Sequence, residues 1–483
     1  MRTLFDCRCS EYGGGLYPRD DNAMQAVDAC VDANLLRKRP LRIPHLSEPQ
    51  IARHYTELSK RNYGVDDGFY PLGSCTMKYN PKLNEDTARL PGFAGLHPHA
   101  PATMSQGALQ VLCDLSEYLK GITGMPGVSL QPVAGAHGEL TGMFLLKKHF
   151  ERAGQPLRKR ILLPDSAHGT NPASAAVAGF SVTQIPSNNA GMVDLDGLRA
   201  ELDETVAGIM LTVPNTLGIF EERILEVTQL VHDAGALCYF DGANLNAFLG
   251  KARPGDMGAD IFHFNLHKTL STPHGGGGPG AGPIAVSEIL MPYLPIPRVV
   301  QEGDRYDLVW EAADSIGSMH AFYGNFLVAV KALTYLLQLG DEGLREVGEN
   351  AVLNANYLQA ALKDAYTLPY NGLCKHEFVL SGKDLAEGVS TLDVAKRLID
   401  YGIHPPTIYF PLIVREAIMI EPTETEGKET LDRFIDAMQS IAREAATSPE
   451  LLHEAPRNAP VRRLDQTRAA KEPILTHPFS EET

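Results

Sequence analysis

No apolar run in this 483-residue chain reaches the roughly 18 residues that a membrane span needs. The opening stretch, MRTLFDCRCSEYGGG, also lacks the apolar segment of a secretory signal. Cysteine is sparse. Its seven copies, at positions 7, 9, 30, 75, 113, 238 and 374, form no CxxC pair, which argues against a disulfide framework and against a zinc ribbon. There is no HExxH, and the sixteen histidines make no spaced pair with cysteines, so no metal is expected. The 43 basic residues are outnumbered by 59 acidic ones, a formal charge of −16 with no basic block, which makes nucleic acid and anionic membranes poor partners. The run GGGGPGAG does not end in GK[ST], no GxGxxG follows a first strand, and no GxSxG elbow occurs. P-loop, dinucleotide and serine-hydrolase chemistry are thereby set aside. A chain of the reducing cytoplasm is expected.

What is present is an ordinary globular balance, 44% hydrophobic and 21% charged, in 52.6 kDa. That length predicts a large domain with a smaller one and terminal arms. Residues 1–100 are rich in Pro and Gly and read as an extended N-terminal arm. Within it, SEPQIARHYTELSKRN reads as a helix with Ser47 as cap and Pro49 in the first turn. From 101 to 335, short apolar runs (GVSLQPV, RILLPDS, FSVTQIP, VAGIMLTVP, ALCYFDG, ADIFHFNLH, GPIAV) alternate with helical stretches. This is the pattern of an α/β domain with a parallel sheet and ligands at the strand carboxyl ends. A smaller α+β domain is expected over 336–447, and a surface-hugging extension over 448–483.

The chemistry-bearing residues follow those strands. Gly135, Ala136 and His137 open a helix whose first N–H groups lack partners, which makes either an anion site or an ordinary strand-to-helix turn. His168 sits in the loop before a second helix, for which Asn171 and Pro172 suit the cap and first position. Asp241 ends a strand, where an acid either caps the next turn or faces a cation. Lys268 ends ADIFHFNLH, with His263, Asn265 and His267 alternating against Phe262, Phe264 and Leu266. A lysine just past a buried strand can be desolvated and serve as an imine-forming amine. Each signal is weak alone. Together they supply a phosphate cup, a ring contact, an acid for a ring nitrogen and an amine, the set that pyridoxal phosphate requires.

Longer strings carry a resemblance. RHYTELSKRNYGVDDGFYPLGSCTMKYNP, QPVAGAHGELTG, DSAHGTNPASA, PNTLGIFE, YFDGANLNA, HFNLHKTLSTPHGGGGPG, YGIHPPTIYFPL and IEPTETEGKETLDRF resemble the P-protein family of the glycine cleavage system, in its split, two-subunit form, from about residue 47 to the tail. The resemblance implies a fold-type-I pyridoxal-phosphate enzyme. It makes Lys268 the Schiff-base lysine and Asp241 the partner of the ring nitrogen. His168 becomes the residue stacked on the ring, Ala136 and His137 the phosphate contact, and Asn215 a candidate for the ring hydroxyl. It also implies glycine decarboxylation, with the aminomethyl group passed to the lipoyl arm of an H-protein through a channel edged by the 271–283 loop. A separate subunit 1 is implied, in an α2β2 assembly. Ser318 and His320 depart from the family pattern, which has basic residues there, and so does Arg415, where a proline is expected. Neither departure is expected to touch the cofactor set. Two other readings remain at this level: a free-standing aminotransferase or cysteine-desulfurase-like enzyme, and a non-catalytic scaffold, against which Lys268, Asp241 and His168 together argue.

Overall fold

The computed structural model describes residues 3–6, 31–36, 38, 44, 46–275, 278 and 280–477. It divides into two compact units, Met1–Gly64 with Ala459–Thr483, and Val65–Asn458. Most of the arm before residue 46 lies outside the described residues, as do Gly276, Gly277 and Pro279 of the glycine run. In the first unit the expected helix is Glu48–Ser59, with Ser47 as its N-cap donating its backbone N–H to the Gln50 side chain at 2.8 Å.

The second unit is built on a seven-stranded sheet: β1 (Gly127–Ser129), β2 (Arg160–Pro164), β3 (Ser181–Ile185), β4 (Val206–Thr212), β5 (Leu237–Asp241), β6 (Ile261–His263) and β7 (Ile284–Val286). The order is β1-β7-β6-β5-β4-β2-β3. The ladders from β3 through β2, β4 and β5 to β6 are parallel, and β7 runs antiparallel to both β6 and β1. Helices Thr170–Ala178, Leu195–Glu201 and Ile224–Asp233 make the crossovers between the parallel strands. Strand β5 is buried along its whole length, and β4 except at Thr212, which is why both read as unbroken apolar runs. Parallel register brings Thr212, Asp241 and His263 abreast at one edge.

Beyond this sheet, β8 (Arg298–Glu302) and β9 (Arg305–Val309) form a hairpin. A second, antiparallel sheet follows, from β10 (Phe378–Ser381), β11 (Thr407–Ile408) and β12 (Ala417–Ile420) in the order β10-β12-β11. Helices Thr391–Asp400 and Lys428–Thr447 cover it. The first starts on a capping box in which Ser390 and Asp393 satisfy each other's backbone N–H. The long helical stretch Phe326–Leu362 is interrupted at Gly340, whose φ of 62° only glycine adopts without strain. The break lets Val328 and Leu336 join the core of the large sheet while Leu358 and Leu362 join that of the small one.

Two boundaries differ from expectation. The compact unit begins at Val65, so Phe69 is buried against Phe434 and the segment 71–84 packs among the strand ends instead of forming part of a loose arm. At the other end, Leu452 and Ala455 are fully buried, so the extension expected from 448 starts beyond Asn458. Sparse apolar residues gave no periodic signal in either segment, yet each buries a few large side chains. No described helix is long and apolar enough to cross a membrane.

Candidate active site

Lys268 closes a turn in which its N–H bonds to the Asn265 carbonyl at 3.2 Å and its own carbonyl accepts the Ser271 N–H at 3.2 Å. Strand β6 ends at His263, earlier than the alternating pattern implied. The alternation survives in burial, because Phe262, Phe264 and Leu266 fill the core below while His263 and Asn265 meet at 2.9 Å above it. Burying one such phenyl ring stabilises the sheet by about 1.5–3 kcal/mol, so the register that presents Lys268 is strongly fixed. The lysine Nζ donates to the Ser74 carbonyl at 2.7 Å.

Asp241 is 3% exposed and accepts the Ala243 N–H at 3.1 Å. Burial works to raise its pKa, but the His263 imidazole 3.4 Å away, the Ala243 N–H and the Lys268 charge outweigh it and hold the carboxyl well below the usual range. His263 is correspondingly raised, since the nearby carboxylate overcomes the desolvation that would lower it. Asp241 therefore stays ionised at the carboxyl end of the central strand, with the His263 imidazole as its counter-charge.

The turn 135–138 begins the helix Gly135–Arg152 as expected. Small residues are required here. A Cβ on Gly138 would lie 2.5 Å from the Gly282 carbonyl oxygen and 2.8 Å from His263, and one on Gly282 would lie 2.2 Å from the Ala134 oxygen. Ala136 is exposed at the helix start, and His137 accepts the Val133 N–H through Nδ1 at 3.3 Å. Burial and the neighbouring His320 hold the His137 pKa down. His320 is a correction to the sequence reading: it was expected clear of the cofactor set, but its ring centroid is 6.4 Å from that of His137. Ser318 bonds the His320 carbonyl at 2.8 Å, whereas Arg415 is an exposed residue of the small-sheet region.

His168 presents an accessible ring, edge-on to Phe410 at 5.5 Å. Its Nδ1 lies 2.8 Å from the Thr170 hydroxyl, which in turn donates to Glu139 at 2.8 Å. Desolvation lowers the His168 pKa, so the ring is neutral near pH 7. The second helix is capped by Gly169 and starts at Thr170, one residue ahead of the expected cap. Asn171 is consequently inside the first turn, buried, with both amide atoms unpartnered. Asn215 does not join the group. Its amide donates to the Gly191 carbonyl at 2.7 Å and accepts from the N–H groups of Leu217 and Ile219, so its side chain is consumed by its own turn.

These positions match known proteins along nearly the whole chain. Residues 22–305 match the glycine cleavage system P-protein family, and residues 347–460 match the glycine dehydrogenase C-terminal domain. The chain belongs to the P-protein family. Its relatives include proteins described as probable glycine dehydrogenase (decarboxylating) subunit 2 from Caldanaerobacter subterraneus subsp. tengcongensis, 59% identical over 95% of both chains, and from Bacillus licheniformis, 56% identical over 93% of both. Among solved structures, an inhibitor-bound glycine decarboxylase (P-protein) superposes with a TM-score of 0.72 at 22% identity, covering 86% of this chain and 94% of that one. A Lactobacillus brevis glutamate decarboxylase superposes at 0.67 and 14% identity, over 86% and 96%. The fold is that of the fold-type-I pyridoxal-phosphate enzymes, as the sequence led one to expect, and membership of the P-protein family implies that cofactor.

The residues present fit such a group. A glycine-lined helix start offers backbone N–H groups, a buried acid stands at the adjacent strand end, and an amine closes the next strand. Thr212 Oγ1, abreast of Asp241, and the Asn171 side-chain amide are buried polar groups with no partner among the described residues. Sequence reasoning missed several members of the site. Glu139, inside the GAHGE string, lies with Asp241 and His263 in a buried cluster whose nearest atoms fall within 4.8 Å, and its pKa is raised by burial and then by Asp241. It also missed the segment 74–84, which cages the Lys268 turn: Lys78 Nζ donates to the Thr269 carbonyl at 2.7 Å, Ser271 Oγ to the Tyr79 carbonyl at 2.8 Å, and Asn84 to the Ser271 carbonyl at 3.3 Å. Only the long family string LGSCTMKYNP flagged this segment, and nothing in its composition did.

Proposed function

We propose that this chain is the lysine-bearing subunit 2 of a two-subunit glycine dehydrogenase (decarboxylating), removing carbon dioxide from glycine and passing the aminomethyl group to the lipoyl arm of an H-protein. The observation that carries this reading is the convergence of Lys268, Asp241, His168 and the 135–138 helix start at neighbouring strand ends, in a chain of the P-protein family. Pyridoxal phosphate, when bound, supplies an aldehyde for imine chemistry and a pyridinium ring that accepts an electron pair from the α-carbon. Lys268 is the residue that would hold it covalently and move protons at the α-carbon and amine through Nζ. Asp241, ionised at any working pH, would keep the ring nitrogen protonated. The N–H groups at Ala136 and His137 would take the phosphate, favoured by the positive end of the helix. His168, neutral and accessible, offers a flat face for the ring. Asn215 is already committed to its turn and is assigned no role.

The names of the relatives support a partner subunit 1, and the expected assembly is α2β2 in the cytoplasm with the lipoyl arm entering beside the 271–283 loop. The test is spectroscopic. Pyridoxal phosphate added to the full chain should give a visible band that borohydride bleaches, with the mass of a pyridoxyl group mapping to Lys268. Glycine, subunit 1 and lipoylated H-protein should then release carbon dioxide. No band, even with subunit 1 present, would refute the reading.

A further inference from the structure

Two buried acids near Lys268 have no part in the chemistry above. Glu377 directly precedes β10 and Glu421 directly follows β12, and the register pairs Phe378 with Ile420, so the two carboxyls leave adjacent strands side by side. They are 2% and 0% exposed and, with His376, bring one atom each within 4.8 Å. Carboxylates buried so close cannot both stay ionised. Their hydrogen bonds say which one carries the charge. Both oxygens of Glu421 accept, Oε2 from the Thr76 N–H at 2.9 Å and Oε1 from the Thr76 hydroxyl and from Asn246 at 3.3 Å. Among the described residues Glu377 accepts through Oε2 alone, from the Ser74 N–H at 2.7 Å, and its other oxygen faces His376 Nε2 at 3.6 Å, a nitrogen already 3.0 Å from the Asn244 amide. Three donors spread over both oxygens suit the carboxylate, and the single donor on Glu377 suits the acid. Burial pushes Glu421 up to about 7 and, with the Glu421 charge, Glu377 well above the usual range.

The carboxyls grip the loop that receives the lysine. Ser74 and Thr76 have φ of 65° and 46°, left-handed values that non-glycine residues adopt at a cost of about 1–3 kcal/mol. Glu377 binds the first and Glu421 the second, and the Ser74 carbonyl takes the Lys268 amine. The other titratable groups acting on that amine are Cys75, Asp241, His168, His267, His274 and His376. Burial keeps the thiol and the four imidazoles neutral at pH 7, and the Asp241 charge is answered by His263.

We propose that Glu377 and Glu421 share one proton, with Glu421 ionised, and act as a positioning pair that holds the Ser74–Thr76 loop and keeps one negative charge facing the Lys268 amine. This rests on Lys268 being the cofactor lysine. The test follows the rate of pyridoxal phosphate capture at Lys268 in the full chain, by borohydride trapping and peptide mass mapping, from about pH 6 to pH 10. Glu377→Gln, which imitates the neutral acid, should leave the pH midpoint in place and the rate within about threefold. Glu421→Gln should move the midpoint about one unit lower, as loss of a nearby opposite charge requires, and reduce the high-pH plateau about tenfold. Glu421→Asp should restore the midpoint. Infrared spectra of chain carrying carbon-13 glutamate should show a protonated carboxyl that disappears in Glu377→Gln, a readout independent of the cofactor and of the folding of Glu421→Gln. An unchanged midpoint in Glu421→Gln, greater damage from Glu377→Gln, or no protonated carboxyl would overturn the proposal. Capture at some other lysine in the parent chain would instead overturn the cofactor reading itself.

Discussion

Lys78→Met tests whether the cage around Lys268 also holds the molecule together. The Lys78 side chain is 1% exposed, and its Nζ reaches Glu424 at 2.5 Å, the Thr269 carbonyl at 2.7 Å and Tyr335 Oη at 3.1 Å. Desolvation works to neutralise this lysine, but Glu424 and Tyr335 more than compensate and raise its pKa above normal, so it is charged across the usual assay range. Methionine matches the stem and deletes the charge. Glu424, 8% exposed, is then left with a Tyr335 hydroxyl 3.4 Å from one oxygen and no partner on the other. Breaking one side of a buried pair in this way costs about 3–5 kcal/mol. Spread over the unit Val65–Asn458 at about 2.1 cal/mol/K per residue, that lowers Tm by roughly 4–6 °C. Because the Thr269 carbonyl also loses its donor next to Lys268, pyridoxal phosphate capture should slow in the same variant. Adding Glu424→Gln removes the stranded charge and should recover most of the Tm loss without restoring capture. Calorimetry on the single and double variants decides the matter: a Tm within 1 °C of the parent for Lys78→Met, or a double variant as unstable as the single, would refute the argument.

Gly138→Ala places a methyl 2.5 Å from a backbone oxygen that cannot swing away, an overpacking of about 1–3 kcal/mol, and should weaken pyridoxal phosphate binding by roughly 5- to 150-fold in a titration of its visible band. Thr170→Val removes the hydroxyl between Glu139 and His168 and leaves the buried acid short of a donor. The expected loss is about 1–3 kcal/mol in urea unfolding, with Thr170→Ser restoring it. His232 is raised first by its hydrogen bond to Asp260 at 2.8 Å, so its contribution to stability is complete below its unfolded pKa and fades as pH rises through the raised folded value. Because His232 is 36% exposed and its charge is screened by solvent, the pair contributes at most about 1 kcal/mol, and the Tm gap between parent and His232→Gln should therefore shrink from pH 6 to pH 8. A gap independent of pH would show that the imidazolium is not what stabilises the pair.

Local chemistry was legible without coordinates where one short string carried it. The apolar runs ending in Asp241 and preceding Lys268 had to be buried strands, the glycine-opened helix at 135 had to present free N–H groups, and both emerged where expected because period and turn chemistry act over a few residues. Asn215, which the resemblance offered as a candidate for the ring hydroxyl, stands in the PNTLG turn, and its amide oxygen accepts from the N–H groups of that turn. Contacts distant in sequence were not legible. Glu377 and Glu421 are ordinary acids in the string, and only the pairing of β10 with β12 buries them together against Ser74 and Thr76, some 300 residues earlier. Lys78 likewise looks like a surface lysine until folding encloses it between Glu424 and Thr269. The sequence by itself determined the strands and the helix start, because those follow from local periodicity and turn chemistry. Tertiary structure alone decided the charge around the lysine, because burial and neighbouring carboxyls set ionisation and both are properties of the folded chain.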